Sequence, residues 1–237
     1  MENKKPIGII GAMAVEVKEL IAHMEESGRE EIAGLVFHRG ILDGVDCVVA
    51  QCSPGKVNSA VCAQIMISTY HPRLVINIGV AGGVGVGIGD LVIASALVQH
   101  DFDSTPLGDP LGNITICRGE GEESFIMLES DKQAAAVLLE EAGSIYGGAH
   151  MGVIATGDTF VADREKNRWL GATFGAKAVE MEGASTAQAC YMNGVPFAVL
   201  RAISDNANDD SPVDFPTFAR ESADKSARLL ARALPRL

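Results

Sequence analysis

Apolar runs alternate along the chain with segments in which apolar side chains recur every three or four positions. The first run, "PIGIIGAM" (6–13), predicts a buried strand that ends at Gly11, and "VEVKELIAHMEE" (15–26) has the spacing of an amphipathic helix. The runs "LVFHRGIL" and "VDCVVAQC" predict two further strands, joined by a tight turn at Asp43-Gly44. The chain therefore opens with a strand, a helix and a hairpin.

The alternation continues to the end of the chain. Further strands are predicted at "LVINIGV", "DLVIASALV", "MGVIATG", "AKAVEM" and "PFAVLRAIS". Helices are predicted at 57–70, "DKQAAAVLLEEAG", "EGASTAQACYMNG" and 214–234. Residues 99–126, rich in Gly, Pro and Asp, predict a long loop, and "DREKNRWLG" is a charged run before a strand. The pattern predicts one domain over residues 1–237, a three-layer α/β/α sandwich with a mixed central β-sheet.

Composition narrows the classes of partner. Hydrophobic residues make up 47% of the chain and aromatic residues only 5%, as expected for a sheet buried under helices. The net charge of -12 disfavours nucleic acid and anionic membrane surfaces, and the sequence has no apolar run of membrane-spanning length. Five cysteines without CxxC spacing predict reduced core residues of a cytoplasmic protein, and the scattered histidines give no metal motif.

The glycine-rich stretch "GVAGGVGVGIGD" (79–90) invites comparison with dinucleotide-binding motifs. No frame gives GxGxxG, and a strand follows it where that motif requires a helix. Two interpretations stay open. The stretch is either a tightly packed connection between strands or a backbone that approaches a flat ligand or an anion closely.

Three acidic residues, Glu16, Glu182 and Asp205, follow predicted strands, where ligands bind in sheets of this kind. Taken singly, Asp205 could cap a turn and Glu16 could favour a helix N-terminus. Together they suit cleavage of a glycosidic bond through an oxocarbenium-like transition state. One acid would protonate the leaving group, a base would activate water, and a third carboxylate would bind a sugar diol.

The motifs "IGIIGAMAVEV", "INIGVAGG", "QHDFDST", "ATGDTFV", "AVEMEGAS" and "RAISDNAN" extend this reading. Their order and spacing resemble the bacterial 5′-methylthioadenosine/S-adenosylhomocysteine nucleosidases of the purine nucleoside phosphorylase superfamily, from about residue 6 to 234. The resemblance implies a phosphorylase/hydrolase-like fold and hydrolysis of a purine nucleoside without a cofactor, in methionine salvage. It also implies how each motif residue acts.

By this resemblance, Glu16 is the water-activating base and Asp205 the acid that protonates the purine at N7. Ser204 and Arg201 are expected to help to place Asp205. Catalysis is thus predicted to depend on one carboxylate at each side of the substrate.

The resemblance also assigns the substrate-binding residues. Glu182 matches the acid that binds the ribose 2′ and 3′ hydroxyls, and Met181 packs beneath the sugar. Glu180 is expected to support them. Phe160 and the backbone of Val161 match the adenine-binding edge, and their roles depend on the loop after "VIATG".

An aromatic side chain that closes over the ligand is expected at Phe215. Val80 stands where Ser is common in the family and removes a polar contact near the base, which bears on fine substrate preference; Pro54 stands where an apolar residue is usual and is expected to reshape one pocket wall. Family members are homodimers in which a loop borders the partner's 5′-thio pocket. Here the matching loop is "PLGDPLG" (106–112), with Leu107 and Leu111 as the apolar candidates.

Alternatives to a nucleosidase of this specificity stay open. A phosphorolytic purine or uridine phosphorylase would need basic side chains around its phosphate, whereas the loop after the first strand carries Glu16. A non-catalytic adenosine-binding module would not require both Glu16 and Asp205. Another nucleosidase, such as a futalosine hydrolase, shares the same chemistry.

Overall fold

The computed structural model describes residues 5–146, 148–206 and 215–237; the side chains of Asn206 and of residues 215–219 lie outside this description. Within it, the strands are β1 (Ile7–Gly11), β2 (Glu25–Ile32), β3 (Leu35–Leu42), β4 (Val45–Gln51), β5 (Leu74–Gly83), β6 (Leu91–Gln99), β7 (Ile114–Arg118), β8 (Gly121–Phe125), β9 (Leu128–Glu129), β10 (Ala149–Thr156), β11 (Ala176–Glu180) and β12 (Phe197–Asn206). The α-helices are α1 (Ala14–His23), α2 (Lys56–Tyr70), α3 (Lys132–Tyr146), α4 (Arg164–Phe174), α5 (Gly183–Asn193) and α6 (Phe215–Ala233).

Ten of the described strands form one mixed sheet, in the order β11-β10-β6-β12-β5-β1-β4-β3-β2, with β9 paired to β6. The strands β12, β5, β1 and β4 run parallel to one another, and so do β6, β10 and β11. The two parallel sets meet where β12 pairs antiparallel to β6. The mixed α/β fold predicted from the sequence is confirmed.

The sheet also curls back on itself. Strand β11 pairs antiparallel to β5, with Ala178 opposite Gly83 and Val179 opposite Gly82. Strands β5, β12, β6, β10 and β11 thus close into a ring, which brings the ends of both parallel sets together. The first glycines of the glycine-rich stretch therefore belong to β5, where a Cβ at Gly82 would stand 3.2 Å from Asp205 Oδ1. Glycine permits this close approach.

Helices cover both faces of the sheet. On one face, Cys62 and Met66 of α2 and Ala187 of α5 share an apolar cluster with the sheet. On the other face, Leu20 of α1, together with residues of α3 and α6, forms a second cluster. Burial of two apolar faces is the main stabilising contribution to a layered fold of this kind.

The predicted hairpin is confirmed, with β3 antiparallel to β4 and positive φ angles at Asp43 (48°) and Gly44 (80°). Four cysteines are buried and Cys117 is exposed, and all five are free. Burial raises the pKa of the Cys47 and Cys62 thiols to about 12, so both stay neutral. No helix among the described residues is long and apolar enough to cross a membrane.

Three segments differ from the sequence prediction. Residues 25–26, predicted as the end of a helix, begin β2, an exposed edge strand held by hydrogen bonds to β3. The predicted loop 99–126 contains the β7–β8 hairpin. The charged run after Val161 forms α4, which Asp163 caps by accepting from the Lys166 N–H. Period-based reasoning needs an apolar face, and β2 and α4 offer little of one; β7 buries Ile114 and Ile116 but is only five residues long.

Candidate active site

Glu16 lies in the first turn of α1, directly after β1, and its side chain is buried. Its Oε2 accepts the N–H groups of Ala12 and Met13 at 2.7 and 2.8 Å, as an acid near a helix N-terminus commonly does. Its Oε1 also accepts the N–H of Val80, at 3.2 Å, from β5. This contact, between residues 64 positions apart, fixes Glu16 against the glycine-rich strand, which a local cap does not require.

Arg201 is the buried cation of the site. Its guanidinium donates to Glu180 and to the Asn77 side chain, and Nη1 donates to the Leu200 carbonyl at 2.9 Å. A Cβ at Gly79 would stand 2.9 Å from Glu16 Oε1 and 3.5 Å from Arg201 Cζ. Glycine at this position therefore lets Glu16 and Arg201 share the space above β5.

Glu180 and Glu182 lie on either side of Met181 and are held by different helix N-termini. Glu180 accepts the N–H groups of Glu182 and Gly183 at 3.1 and 2.7 Å, at the start of α5. Glu182 Oε1 instead accepts the Gly55 N–H at 2.8 Å, at the start of α2. Helix N-termini stabilise negative charge, and these two acids are held by the starts of two different helices. Glu180 anchors the start of α5 and Arg201, whereas Glu182 lies at the meeting point of α2 and α5.

The buried acids outnumber the buried cation. Glu16, Glu180 and Glu182 all act electrostatically on Arg201, and they keep its pKa above the ordinary value even though burial opposes its charge. Burial, followed by the neighbouring Glu180, raises the pKa of Glu182 to about 7. Burial likewise raises the pKa of Glu16 against the opposing effect of its hydrogen bonds. Glu182 is therefore able to exchange a proton near neutral pH, and Glu16 holds its proton more tightly than an ordinary glutamate.

Asp205 lies near the end of β12, opposite Gly82 of β5, and its side chain is partly exposed. The buried Ser204 donates from Oγ to Asp205 Oδ2 at 2.9 Å. The register of β12 on β5 shifts between Ile203 and Asp205, and this bulge turns the end of the strand. The structure thus brings Ser204 to Asp205, while the described hydrogen bonds of Arg201 go to Glu180, Asn77 and main-chain carbonyls.

The other predicted binding residues fall into two groups. Val80 and Met181 are half-buried; Val80 donates its N–H to Glu16, and Met181 directly precedes Glu182 in the chain. In the loop after β10, Val161 is buried in an apolar cluster and Phe160 is 65% exposed. Phe215 begins α6, but its side chain lies outside the described residues.

The predicted partner loop has one exposed and one anchored leucine. Leu107 ends a short 3₁₀ helix and is 86% exposed. Leu111 is half-buried and packs against the cluster that contains Val98 and Phe174. Leu107 is therefore free to contact another surface, and Leu111 fixes the loop to its own chain.

Sequence reasoning missed four polar residues that hold the site. Asn77 accepts from Arg201, and Thr156 donates to Glu180 and accepts the Ala184 N–H at 2.8 Å. Asn77 is a single amide within the apolar run "LVINIGV", which is the only signal that could have marked it. Lys56 and Asp101, the other two, pair at 2.7 Å beside the Gly55 N–H that holds Glu182.

Across the described ranges, no group of three or more His, Cys, Asp or Glu side chains is placed to hold a metal ion. The described groups of the site are carboxyl groups, one arginine and backbone N–H groups.

The fold agrees with comparison to known proteins. A model of the phosphorylase superfamily matches residues 6–235. The chain belongs to this superfamily.

Individual relatives narrow the class. A 5′-methylthioadenosine/S-adenosylhomocysteine nucleosidase of Shewanella loihica is 39% identical over 98% of this chain and 99% of its own. The crystal structure of the enzyme of that name from Campylobacter jejuni is 34% identical, with a TM-score of 0.87, covering 98% of this chain and 100% of that one. A futalosine hydrolase of Helicobacter pylori is 36% identical, with a TM-score of 0.87 over 98% of both chains. Within the superfamily, the chain belongs to the family of 5′-methylthioadenosine/S-adenosylhomocysteine nucleosidases.

Proposed function

We propose that the protein hydrolyses the N-glycosidic bond of 5′-methylthioadenosine and S-adenosylhomocysteine, and also of 5′-deoxyadenosine. The products are adenine and the 5′-substituted ribose, which places the reaction in methionine salvage and S-adenosylmethionine recycling. Relatives and structural neighbours with this activity in their names cover nearly the whole chain. No cofactor is needed, because proton transfer by carboxyl groups suffices for this reaction.

The buried Glu16 is the observation that carries this proposal. Three backbone N–H groups hold its carboxylate, and burial raises its pKa towards the range in which a general base works at neutral pH. In the proposed mechanism Glu16 takes a proton from water as the water attacks the anomeric carbon. Asp205, placed by Ser204, donates a proton to N7 of the leaving adenine.

Glu182 and the loop after β10 bind the two halves of the nucleoside. The Glu182 carboxylate accepts hydrogen bonds from the ribose 2′ and 3′ hydroxyls, with Met181 beneath the sugar. Phe160 stacks on adenine, and the Val161 backbone bonds its edge. In the free protein Glu182 Oε2 is 3.9 Å from Arg201 Nη2, beyond hydrogen-bonding distance, which supports a role in accepting a hydroxyl.

Charge favours water over phosphate as the nucleophile. Glu16, Glu180 and Glu182 surround Arg201, so the buried group carries more negative than positive charge when ionised. The guanidinium is already hydrogen-bonded to Glu180 and Asn77. A phosphate dianion would be repelled here, whereas a phosphorylase needs cationic side chains free to receive it.

Release of adenine tests the proposal directly. The purified protein is incubated with 5′-methylthioadenosine in phosphate-free buffer, and then with added phosphate; futalosine and inosine serve as alternative substrates. Adenine and free methylthioribose in the absence of phosphate are expected. Turnover that requires phosphate and yields a ribose 1-phosphate would assign the chain to the phosphorylases. Preference for futalosine would assign it the activity of its Helicobacter neighbour.

The acid is tested by Asp205→Asn. The amide keeps an oxygen that can accept from Ser204, but it cannot supply the proton at N7. We expect turnover to fall by about 10²–10⁴-fold while 5′-methylthioadenosine still binds. Turnover at the wild-type rate would remove Asp205 from the mechanism.

Assembly and location are also proposals. We infer a homodimer in which the loop 106–112 borders the partner's 5′-thio pocket, supported by the exposure of Leu107. A Leu107→Asp variant should sediment as a monomer and bind 5′-alkylthio substrates poorly; a fully active monomer would contradict the shared site. The ten-stranded sheet and the match to residues 6–235 support one nucleosidase domain over 1–237. Five free thiols support a cytoplasmic location.

A further inference from the structure

Three charged residues next to the carboxylate cluster are joined in a closed ring of hydrogen bonds. Lys56 Nζ donates to Asp101 Oδ1 at 2.7 Å, and Asp101 Oδ2 accepts the Asp158 N–H at 2.8 Å. Asp158 Oδ1 in turn accepts the Lys56 N–H at 2.8 Å. The three residues come from the start of α2 and from the segments that follow β6 and β10. Three separate parts of the chain are thereby tied at one point.

The ring fixes the peptide group of Gly55, whose N–H binds Glu182. Gly55 directly precedes Lys56 and donates its N–H to Glu182 Oε1 at 2.8 Å. Its φ angle of 103° lies in the region that favours glycine, and a Cβ here would stand 3.3 Å from Asp158 Oδ1. The orientation of the Gly55 N–H therefore depends on the Lys56–Asp158 link that follows it.

The ring also holds the loop proposed to bind adenine. Asp158 comes two residues before Phe160, and its N–H is fixed by Asp101. A side chain that binds Lys56 through Oδ1 and a backbone that binds Asp101 leave this residue little freedom to rotate. The sugar-binding acid and the start of the adenine loop thus share one anchor.

Lys56 is bound in this network through both its ammonium group and its backbone N–H. Its ammonium also donates to Gln99 Oε1 at 3.2 Å, and Gln99 donates to Gln188 of α5 at 2.7 Å. The Lys56 and Asp101 side chains are only 18% and 24% exposed. Burial opposes ionisation of Asp101, but hydrogen bonds from Lys56 and the Asp158 N–H hold its pKa below the ordinary value. The pair therefore acts as a fixed ion pair, and Lys56 is not a free cation for an anionic ligand.

We propose that Lys56, Asp101 and Asp158 are positioning residues for nucleoside hydrolysis, which align the Gly55 N–H with Glu182 and join the sugar and adenine subsites. This inference rests on the proposed function. The ring acts through Gly55 and the loop after β10 and touches no reacting atom.

Lys56→Met is the primary test, because it removes the ammonium and keeps the length of the side chain. With 5′-methylthioadenosine as substrate, we expect KM to rise about tenfold and kcat to fall less, since misplacement of a binding group remote from the reacting bond is costly. Lys56→Arg should restore most of the affinity by pairing again with Asp101. Lys132→Met, which alters a lysine whose side chain is 90% exposed on α3, is the matched control and should leave both constants unchanged.

A pH profile separates positioning from a loss of folded structure. The Gly55 N–H favours ionised Glu182, so its misalignment should move the acidic limb of kcat/KM upward by roughly half a pH unit. The other charged groups that face Glu182, namely Glu180 of β11, Arg201 of β12 and Glu16 of α1, are the same in the variant. A lower melting temperature alone would not shift this limb.

The outcomes distinguish this inference from the proposed function. Absence of adenine release by the wild-type protein would contradict the function. An active wild type, together with a Lys56→Met variant that has wild-type KM and an unshifted acidic limb, would overturn the positioning role alone. Should Lys56→Met fail to fold, Asp101→Asn removes one link of the ring with little change in shape. It should change KM and the pH profile in the same direction, and wild-type values in that variant would also overturn the proposal.

Discussion

Two clusters of arginine and glutamate in this protein shift the pKa of a glutamate in opposite directions. Near the C-terminus, Arg236 pairs with Glu140 and Glu141 at 2.8 and 2.5 Å, and Arg232 pairs with Glu141 at 2.8 Å. Hydrogen bonding to Arg236 holds the pKa of Glu141 below its ordinary value. In the site, burial and the neighbouring Glu180 raise the pKa of Glu182.

The clusters differ in the number of guanidinium groups and in the burial of those groups, whereas Glu141 and Glu182 are both 7% exposed. The C-terminal cluster has two guanidinium groups for two carboxylates, and its arginine side chains are 56% and 40% exposed. In the site, Glu16, Glu180 and Glu182 face Arg201 alone, with all four residues buried. Matched, hydrated charges stabilise a surface, whereas unmatched buried charge costs stability and is found where proton transfer or ligand binding needs it.

The largest effect on stability is expected from Arg201→Met. The variant leaves three buried carboxyl groups without their shared cation, and removal of one partner from a buried ion pair commonly costs about 3–5 kcal/mol. Urea unfolding at neutral pH measures this loss. Arg236→Met, in the exposed cluster, is the control and should change the free energy of unfolding little. Equal small effects of the two variants would contradict the distinction between the clusters.

A smaller effect of opposite sign is expected from Glu182→Gln. The folded protein holds the Glu182 proton up to about pH 7, whereas an ordinary glutamate releases it near 4.5. Ionised Glu182 therefore lowers the free energy of unfolding as pH rises through this window. A neutral glutamine removes this cost. The variant should be more stable at about pH 8, by up to about 3 kcal/mol, and no more stable at about pH 4.

The same substitution should weaken substrate binding. The amide cannot accept hydrogen bonds through two oxygens, so 5′-methylthioadenosine should bind poorly to Glu182→Gln. Paired urea unfolding and KM measurements would show stability gained as affinity is lost. A variant less stable than wild type at about pH 8 would show that the charge on Glu182 is well compensated.

The smallest effect is expected from Glu141→Gln, the matched substitution in the C-terminal cluster. The pKa of Glu141 is held low, so its ionised form contributes stability above the ordinary pKa, and this contribution is lost as pH falls through the folded-state pKa. The variant should be slightly less stable at neutral pH, equal to wild type in strong acid, and fully active. A gain in stability at neutral pH would contradict the comparison.

Much of the fold could be predicted because apolar periodicity marks each buried element. The motif "AVEMEGAS" likewise marked Glu182, since two acids after an apolar strand require an explanation. The all-polar strand β2 could not be predicted, because its order comes from hydrogen bonds to β3. Nor could the pairing of β5 with β11, which depends on how the sheet curls.

Prediction of the site from the sequence is limited in the same way, because contacts that depend on the fold cannot be read from the pattern. Glu16 and Asp205 could be predicted from their positions after or near the ends of strands, and their described surroundings fit those positions. The contact of Arg201 with Asn77 joins residues more than 100 positions apart in the chain. Its contact with Glu180 joins β12 to β11, which come together only because β11 pairs with β5. Lys56 and Asp101 are ordinary surface residue types in the sequence, and only their mutual geometry distinguishes them.

The most direct test of the central claim is the pH dependence of kcat/KM for 5′-methylthioadenosine in phosphate-free buffer, for wild type and Glu16→Gln. The buried carboxylate cluster predicts that wild-type kcat/KM rises with pH, because Glu16 and Glu182 must both lose protons that burial helps them to retain. Glu16→Gln should lose about 10²–10⁴-fold in kcat at a pH where wild-type Glu16 is ionised, and the difference should narrow as pH falls and wild-type Glu16 takes up its proton. A Glu16→Gln variant with the wild-type rate and profile would contradict the claim that this carboxylate activates water.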